Sequence, residues 1–548
     1  MNLTLALVVC ASLVVADPEG GTREAPDTIA FCEPTLVAAL LPWVNYRSSQ
    51  GHNIQVDSRA LTADEIRQAI AKAAEGGQLK NVVLVGDVES RPQPNVPRRG
   101  VATNYPKAKI NVQWGSEPEI ASDNPFGDLD GDSVPELAVG RLSATTPDEL
   151  QTIIRKIVDY EQDSANGLWR RRINFVAGVG GFGLLADAVL ESATRSFISQ
   201  GIPPEFRTSM TYASWRSPYC PDPRAFRQTV IGRFNEGCLC WIYIGHGHRH
   251  ELDWVRVPNG RAPILSGDDV VQIRSRQGSP IAVFLSCYAG AYDAPKLCLA
   301  EQLLRQQGGP VAVLAGSRVT MPYGMATMSQ SLMRQLFHQR AQTLGEMMLA
   351  TKREMAQSKP EGFSRRMLDT LAAAISPNPK GLDVERQEHV ELFNLLGDPL
   401  LRIRHPKKID VTTVGLAEPG QSLKIHCEGG LSGVAIIELV CRRGDFTYEP
   451  EARLEYDGSH QGMQALNAEY WRANNDCFVQ RRILVDSDTF QTELKIPENA
   501  EGRCYVRVFV EGDRDFGMGA AIVKIAKAEN DSGKEPELAT NPGDSKLQ

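Results

Sequence analysis

Between residues 28 and 406, apolar positions fall into two textures: short uninterrupted runs, and longer stretches in which they recur every three or four residues. The runs Asn81 to Val85, Ile173 to Ala177, Cys238 to Ile244, Ile281 to Ser286 and Val311 to Ala315 read as buried strands. The periodic stretches read as helices, and two of them mark their own starts. Thr62-Ala63-Asp64-Glu65 is a capping box for a helix that stops at Gly76-Gly77. Thr146-Pro147-Asp148-Glu149 is a second, with Pro at the first helical position, for a helix to about Glu161. Strand-helix alternation predicts an α/β fold, a mostly parallel sheet with helices on both faces, whose chemistry gathers at the carboxyl ends of the strands. After His405-Pro406 the helical period stops. Residues 408–527 carry short alternating runs at Ser422 to His426, Val434 to Cys441, Thr489 to Ile496 and Cys504 to Val510, and predict an immunoglobulin-like β-sandwich. The polar stretch 528–548 reads as a disordered tail.

Composition narrows the class. A chain of 548 residues is too long for one core, and 42% hydrophobic with 23% charged residues excludes general disorder and a membrane-embedded protein. A net charge of −8, with no Lys/Arg-rich run, excludes a nucleic-acid partner, because phosphate backbones demand a concentrated positive surface. The apolar stretch Leu3 to Val15, followed by Ala16 and the polar Asp17, reads as a signal peptide over residues 1–16 and predicts a secreted or envelope-associated protein. It is too short for a transmembrane segment, which needs about 20 apolar residues. The 11 cysteines are too sparse for a disulfide scaffold, and Cys238-Leu239-Cys240 lacks the spacing of a zinc knuckle or a CxxC redox site.

Against that background two strand ends stand out. Trp241 to Ile244 runs into Gly245-His246-Gly247-His248, and Ile281 to Ser286 runs into Cys287-Tyr288-Ala289-Gly290. A thiol is only slightly ionised at neutral pH. An adjacent imidazole can hold it as a thiolate and then protonate a leaving amine, so Cys287 and His246 are the candidate nucleophile and general acid/base. A competing reading takes His246, His248 and His250, at alternate positions, as zinc ligands of a metallohydrolase. Gly178-Val179-Gly180-Gly181-Phe182-Gly183 matches a dinucleotide fingerprint. Glu205, however, falls before the strand that should carry the ribose-binding acid, and a Gly-rich turn without nucleotide is the better reading. Asp128, Asp130 and Asp132 open like a calcium loop, with Glu136 nearby, and are candidate ligands for a structural calcium ion.

These motifs, in order, resemble the catalytic domain of the gingipains, cysteine peptidases related to caspases and clostripain. The likeness runs from about residue 80 to 405. It is carried by Val83-Leu84-Val85-Gly86-Asp87, Ser122-Asp123 with Phe126-Gly127, Glu136 to Arg141, Ile244 to Gly247, the strand into Cys287, Ala300-Glu301, and Phe393 to Pro399. The resemblance implies a caspase-like fold: a catalytic domain over 28–406 in two subdomains meeting near 140–170, followed by the sandwich. It implies a dyad of His246 and Cys287 and an oxyanion hole from the backbone amides of Gly247 and Cys287. It further implies protein or peptide substrates, with no cofactor required for catalysis. The family's histidine-orienting glutamate is replaced here by Val179, ahead of the retained Gly180-Gly181 pair. Its S1 acid maps near Asp187, or with a slipped register near Glu191. A non-catalytic secreted surface protein that keeps the fold is the third reading.

Overall fold

The computed structural model describes residues 25–88, 100–163, 167–180, 201–357, 363–376, 378–429 and 431–526. The signal peptide expected at residues 1–16, the pocket acid at Asp187 or Glu191 and the tail 528–548 lie outside them. Twelve strands precede residue 400: β1 Thr28–Cys32, β2 Ile54–Asp57, β3 Asn81–Val85, β4 Ala138–Leu142, β5 Arg172–Ala177, β6 Arg207–Tyr212, β7 Cys240–Ile244, β8 Trp254–Val257, β9 Gly260–Pro263, β10 Ile281–Leu285, β11 Ala312–Gly316 and β12 Phe393–Leu396. Ten of them form one sheet in the order β2-β1-β3-β4-β12-β11-β10-β7-β5-β6, while β8 and β9 pair apart as a hairpin. Neighbours run parallel except β11 and β12, which are antiparallel, and β12 pairs with β4 only through Leu396 and Arg141.

Local sequence accounts for the helices beside this sheet. Both capping boxes form, at Thr62 with Glu65 and at Thr146 with Glu149, and open the helices Ala63–Ala74 and Pro147–Gln162. That helices cover both faces is visible in β3 alone. Val83 and Val85 join a core with Trp43 and Ile153, whereas the alternate Val82 and Leu84 join another with Ile66 and Ile70. A strand covered on both sides gains from apolar residues at every position, and β3, β7, β10 and β11 are buried throughout.

The C-terminal strands are β13 Lys407–Lys408, β14 Asp410–Thr413, β15 Leu416–Ala417, β16 Ser422–Glu428, β17 Gly433–Cys441, β18 Cys477–Val485, β19 Thr489–Lys495, β20 Gly502–Glu511 and β21 Phe516–Ile525. They make a six-stranded sheet, β13-β21-β20-β17-β18 with β15 beside β21, and a three-stranded sheet, β14-β16-β19. Leu423, Ile425 and Leu494 of the small sheet share a core with Ile437, Leu439, Val506 and Val508 of the large one, which is the packing of a sandwich. The other face of the large sheet presents Ile436, Phe509 and Met518 to the core of the α/β region. In the same contact Glu438, 1% exposed, bridges Arg171 at 2.9 Å and Arg507 at 2.8 Å.

One element runs against the sequence reading of an all-β region: a helix, His460–Ala473, inserted between β17 and β18. Its buried residues are few, Met463, Tyr470 and Ala473, so it shows little amphipathic signal. It is held instead by polar contacts with β6. The Tyr470 hydroxyl lies 2.8 Å from the Thr211 hydroxyl, and Asn474 accepts from Met210 N–H at 2.7 Å and donates to Met210 C=O at 3.0 Å. Its side-chain amide thus pairs with the edge strand as another strand would.

Candidate active site

Strands β7 and β10 are adjacent and parallel, with Ile244 opposite Leu285, so His246 and Cys287 each lie two residues beyond a paired position. The same edge carries Gly178 after β5 and Ser317 to Thr320 after β11. The two loops touch. A Cβ on Gly247 would stand 2.7 Å from the Cys287 carbonyl oxygen and 2.7 Å from Ser286 Oγ, so only glycine fits there. Gly245, at φ +152°, is likewise pressed against the Tyr243 hydroxyl, which donates to the His246 carbonyl at 2.6 Å and accepts from Asp253 N–H at 3.3 Å. The main chain of the histidine turn is therefore anchored from within its own strand.

Cys287 is half-buried, and its sulfur accepts from Thr320 N–H at 3.3 Å, with the Thr320 hydroxyl at 3.6 Å. After it the chain turns sharply: Tyr288 sits at φ +58°, Ala289 N–H donates back to the Cys287 carbonyl, and Tyr288 N–H donates to Arg318. A tyrosine in the left-handed region is costly and is here tied at both ends. Its hydroxyl donates to Glu117 at 2.7 Å, and Arg249, which also pairs with Glu117, stacks on its ring at 4.5 Å. Burial, as the leading cause, raises the thiols of the other nine described cysteines, with Cys504 at about 11 and Cys32, Cys220, Cys240, Cys427, Cys441 and Cys477 at about 12. Cys238 and Cys298, fully buried, are raised as well. Such thiols stay protonated at neutral pH while they remain buried, and are then poor nucleophiles. Among the described residues neither Gly247 N–H nor Cys287 N–H is engaged in a hydrogen bond.

The remaining candidates separate. His246, His248 and His250 do not share one face of an extended segment. The chain folds back as a turn, with Gly247 bridged to Leu252 and His248 N–H donating to Glu251, while His250 turns its Nδ1 to the Leu297 carbonyl. Among the described residues one group of acids or histidines converges on a common point, Asp128, Asp130 and Glu136, whose oxygens lie within 4.8 Å of one another. Asp132 is not in that group; its carboxylate accepts from Val134 N–H instead, so Glu136 takes the place the sequence assigned to it. These oxygens suit a hard cation such as calcium, and several also accept backbone N–H groups of the acidic turn. Val179 packs against the core. Thr320, Tyr243 and Glu117 were not anticipated. Only the rule that strand-end loops carry chemistry pointed to Thr320, which follows β11.

The model of peptidase family C25 matches residues 21–404. Gingipain R2 of Porphyromonas gingivalis strain W83 is 24% identical over 426 residues, 72% of this chain and 50% of its own length. Lys-gingipain of the same species is 21% identical over 293 residues, 51% of this chain and 15% of its own. The chain thus spans about half the length, or less, of these curated relatives. The crystal structure of the Arg-specific cysteine proteinase gingipain R superposes with a TM-score of 0.50 at 18% identity, covering 92% of this chain and 99% of that one. At that identity the likeness speaks for the fold, α/β and caspase-like.

Proposed function

Because the chain belongs to peptidase family C25, we propose that it is a cysteine peptidase, hydrolysing peptide bonds of protein substrates with Cys287 as nucleophile and His246 as general acid and base. The observation that supports this reading is the contact of the two strand-end loops that carry His246 and the half-buried Cys287, Gly247 lying against the Cys287 carbonyl. His246 takes the thiol proton, and the thiolate adds to the scissile carbonyl. The tetrahedral oxyanion is stabilised by the N–H groups of Gly247 and Cys287, each contributing about 3 kcal/mol. Collapse breaks the C–N bond, the amine leaves with the proton from His246, and water deprotonated by His246 then hydrolyses the thioester. Thr320 N–H, at 3.3 Å from the sulfur, supports the thiolate. Secretion is part of this proposal, from the apolar stretch Leu3 to Val15. So is a structural calcium ion held by Asp128, Asp130 and Glu136, which would brace the loop after residue 127.

Peptide hydrolysis by the full chain and its variants tests the reading. Cys287→Ala should lose activity by orders of magnitude, on the scale of ~10⁶-fold when a nucleophile is deleted, and His246→Ala nearly as much. His248→Ala and His250→Ala should retain most of it. Iodoacetamide should abolish turnover, whereas after EDTA any lost activity should return with calcium alone. Equal losses at the three histidines, a mild effect at Cys287 and rescue only by zinc would establish the metallohydrolase instead. A folded protein whose Cys287 resists selective alkylation and which cleaves nothing would be the non-catalytic surface protein.

A further inference from the structure

Strands β17 and β20 of the sandwich are antiparallel, and their register sets Cys441 directly opposite Cys504. Hydrogen bonding defines what kind of pair this is. Arg442 N–H donates to the Arg503 carbonyl at 3.1 Å, while Cys441 N–H turns away to the Asp476 carbonyl on the other side at 2.9 Å. Since the two pair types alternate along an antiparallel ladder, Cys441 and Cys504 form a non-hydrogen-bonded pair, in which Cα atoms stand about 4.5 Å apart and side chains are closest. A disulfide accepts Cα separations of about 4.4–6.8 Å. Both side chains lie on the same face, that of Ile437, Leu439, Val506 and Val508; Cys504 belongs to the sandwich core and Cys441 is buried opposite it. Both are free thiols, 5% and 0% exposed, donating only to the nearby carbonyls of Asp445 and Glu501. Cys477 is no competitor: it stands opposite Val440, one position away and hence on the other face.

We propose that Cys441 and Cys504 close a cross-strand disulfide, which ties together the two ends of segment 442–503, the stretch that carries the helix His460–Ala473 and strands β18 and β19. That segment holds the α/β region. Arg443 donates to the carbonyls of Ile202, Pro203 and Phe206, Arg453 to those of Trp215 and Ser217, and the helix His460–Ala473 covers the edge strand β6. The bridge forms by exchange with a low-molecular-weight disulfide such as oxidised glutathione. One thiolate attacks the oxidant to give a mixed disulfide and a free thiol, and the second cysteine displaces the other half. Two electrons pass to the oxidant, which leaves as two thiols carrying both protons. Burial holds both native thiols protonated, so exchange proceeds while the sandwich is folding or transiently open and is slow in the closed state.

The test is made on the full chain, refolded in mixed oxidised and reduced glutathione, alkylated in denaturant without reductant, digested and mapped by mass spectrometry. A linked pair of peptides containing Cys441 and Cys504, absent after reduction, with Cys287 recovered alkylated, is the expected result. Recovery of both cysteines alkylated, or of either joined to a different cysteine, would overturn the proposal. The oxidised chain should also melt about 5 °C above the reduced one, a gap that Cys504→Ser removes. A linked chain that melts like the reduced one would refute the stapling role.

Discussion

Gly247 is where the packing of single residues bears most directly on chemistry. Its contact with Cys287 and Ser286 leaves no room for a Cβ, so Gly247→Ala must push the histidine turn away from the nucleophile. Displacement of a reacting group by about 1 Å costs on the order of 10²-fold in rate. We expect kcat/KM to fall by that factor while near-ultraviolet circular dichroism and the melting temperature stay close to wild type. Unchanged turnover would mean that the two loops need not touch during catalysis. The sequence marked this glycine as a neighbour of the histidine and, through the family resemblance, as an oxyanion-hole donor. What it packs against lies 40 residues further along and was set by strand pairing.

At the scale of elements, legibility followed local chemistry. The helices with capping boxes and the uniformly apolar strands appear within a residue or two of their sequence bounds. The helix His460–Ala473 did not, because its stabilising partners are polar groups of β6 more than 240 residues earlier, and nothing in its own periodicity records them. This element yields its own prediction. Asn474→Ala removes two half-buried hydrogen bonds to the main chain of Met210, at a cost of about 1 kcal/mol each. Amide exchange should speed up in β6, at Arg207–Tyr212, and stay unchanged in β10. Uniform acceleration across the sheet would mean that the helix supports the whole fold and does not specifically shield its edge.

For the whole molecule, the contact between sandwich and α/β region includes a buried ionic cluster beside its apolar residues, and this makes it sensitive to acid. Burial by itself would raise the Glu438 carboxyl, but the guanidiniums of Arg507 and Arg171 outweigh it and hold the group at about 2 against an ordinary 4.5. A depressed carboxyl contributes its stability in full above about pH 4.5 and loses it as pH falls toward 2. The contribution at neutral pH is about 3 kcal/mol. Glu438→Gln should therefore melt well below wild type at pH 7, and the difference should shrink steadily between pH 5 and 2. A difference independent of pH would locate the effect in packing and not in charge.

The linear order of residues determined whatever rests on near neighbours: caps, apolar runs, the change of texture after Pro406, and the two strand-end motifs around His246 and Cys287. These depend on backbone geometry and burial period, which operate over a few residues. Tertiary structure alone decided which ends meet, because strand order is a property of the closed sheet. It put β10 beside β7 and brought Thr320 N–H to the Cys287 sulfur from a third loop. It also replaced Asp132 by Glu136 in the acidic cluster, turned His250 away to Leu297, and set Cys441 against Cys504. Apart from the acidic turn, whose ligands are near neighbours, each of those contacts joins segments whose separation along the chain carries no local signal, so it exists only once hydrophobic burial and hydrogen-bond pairing have fixed how those segments pack.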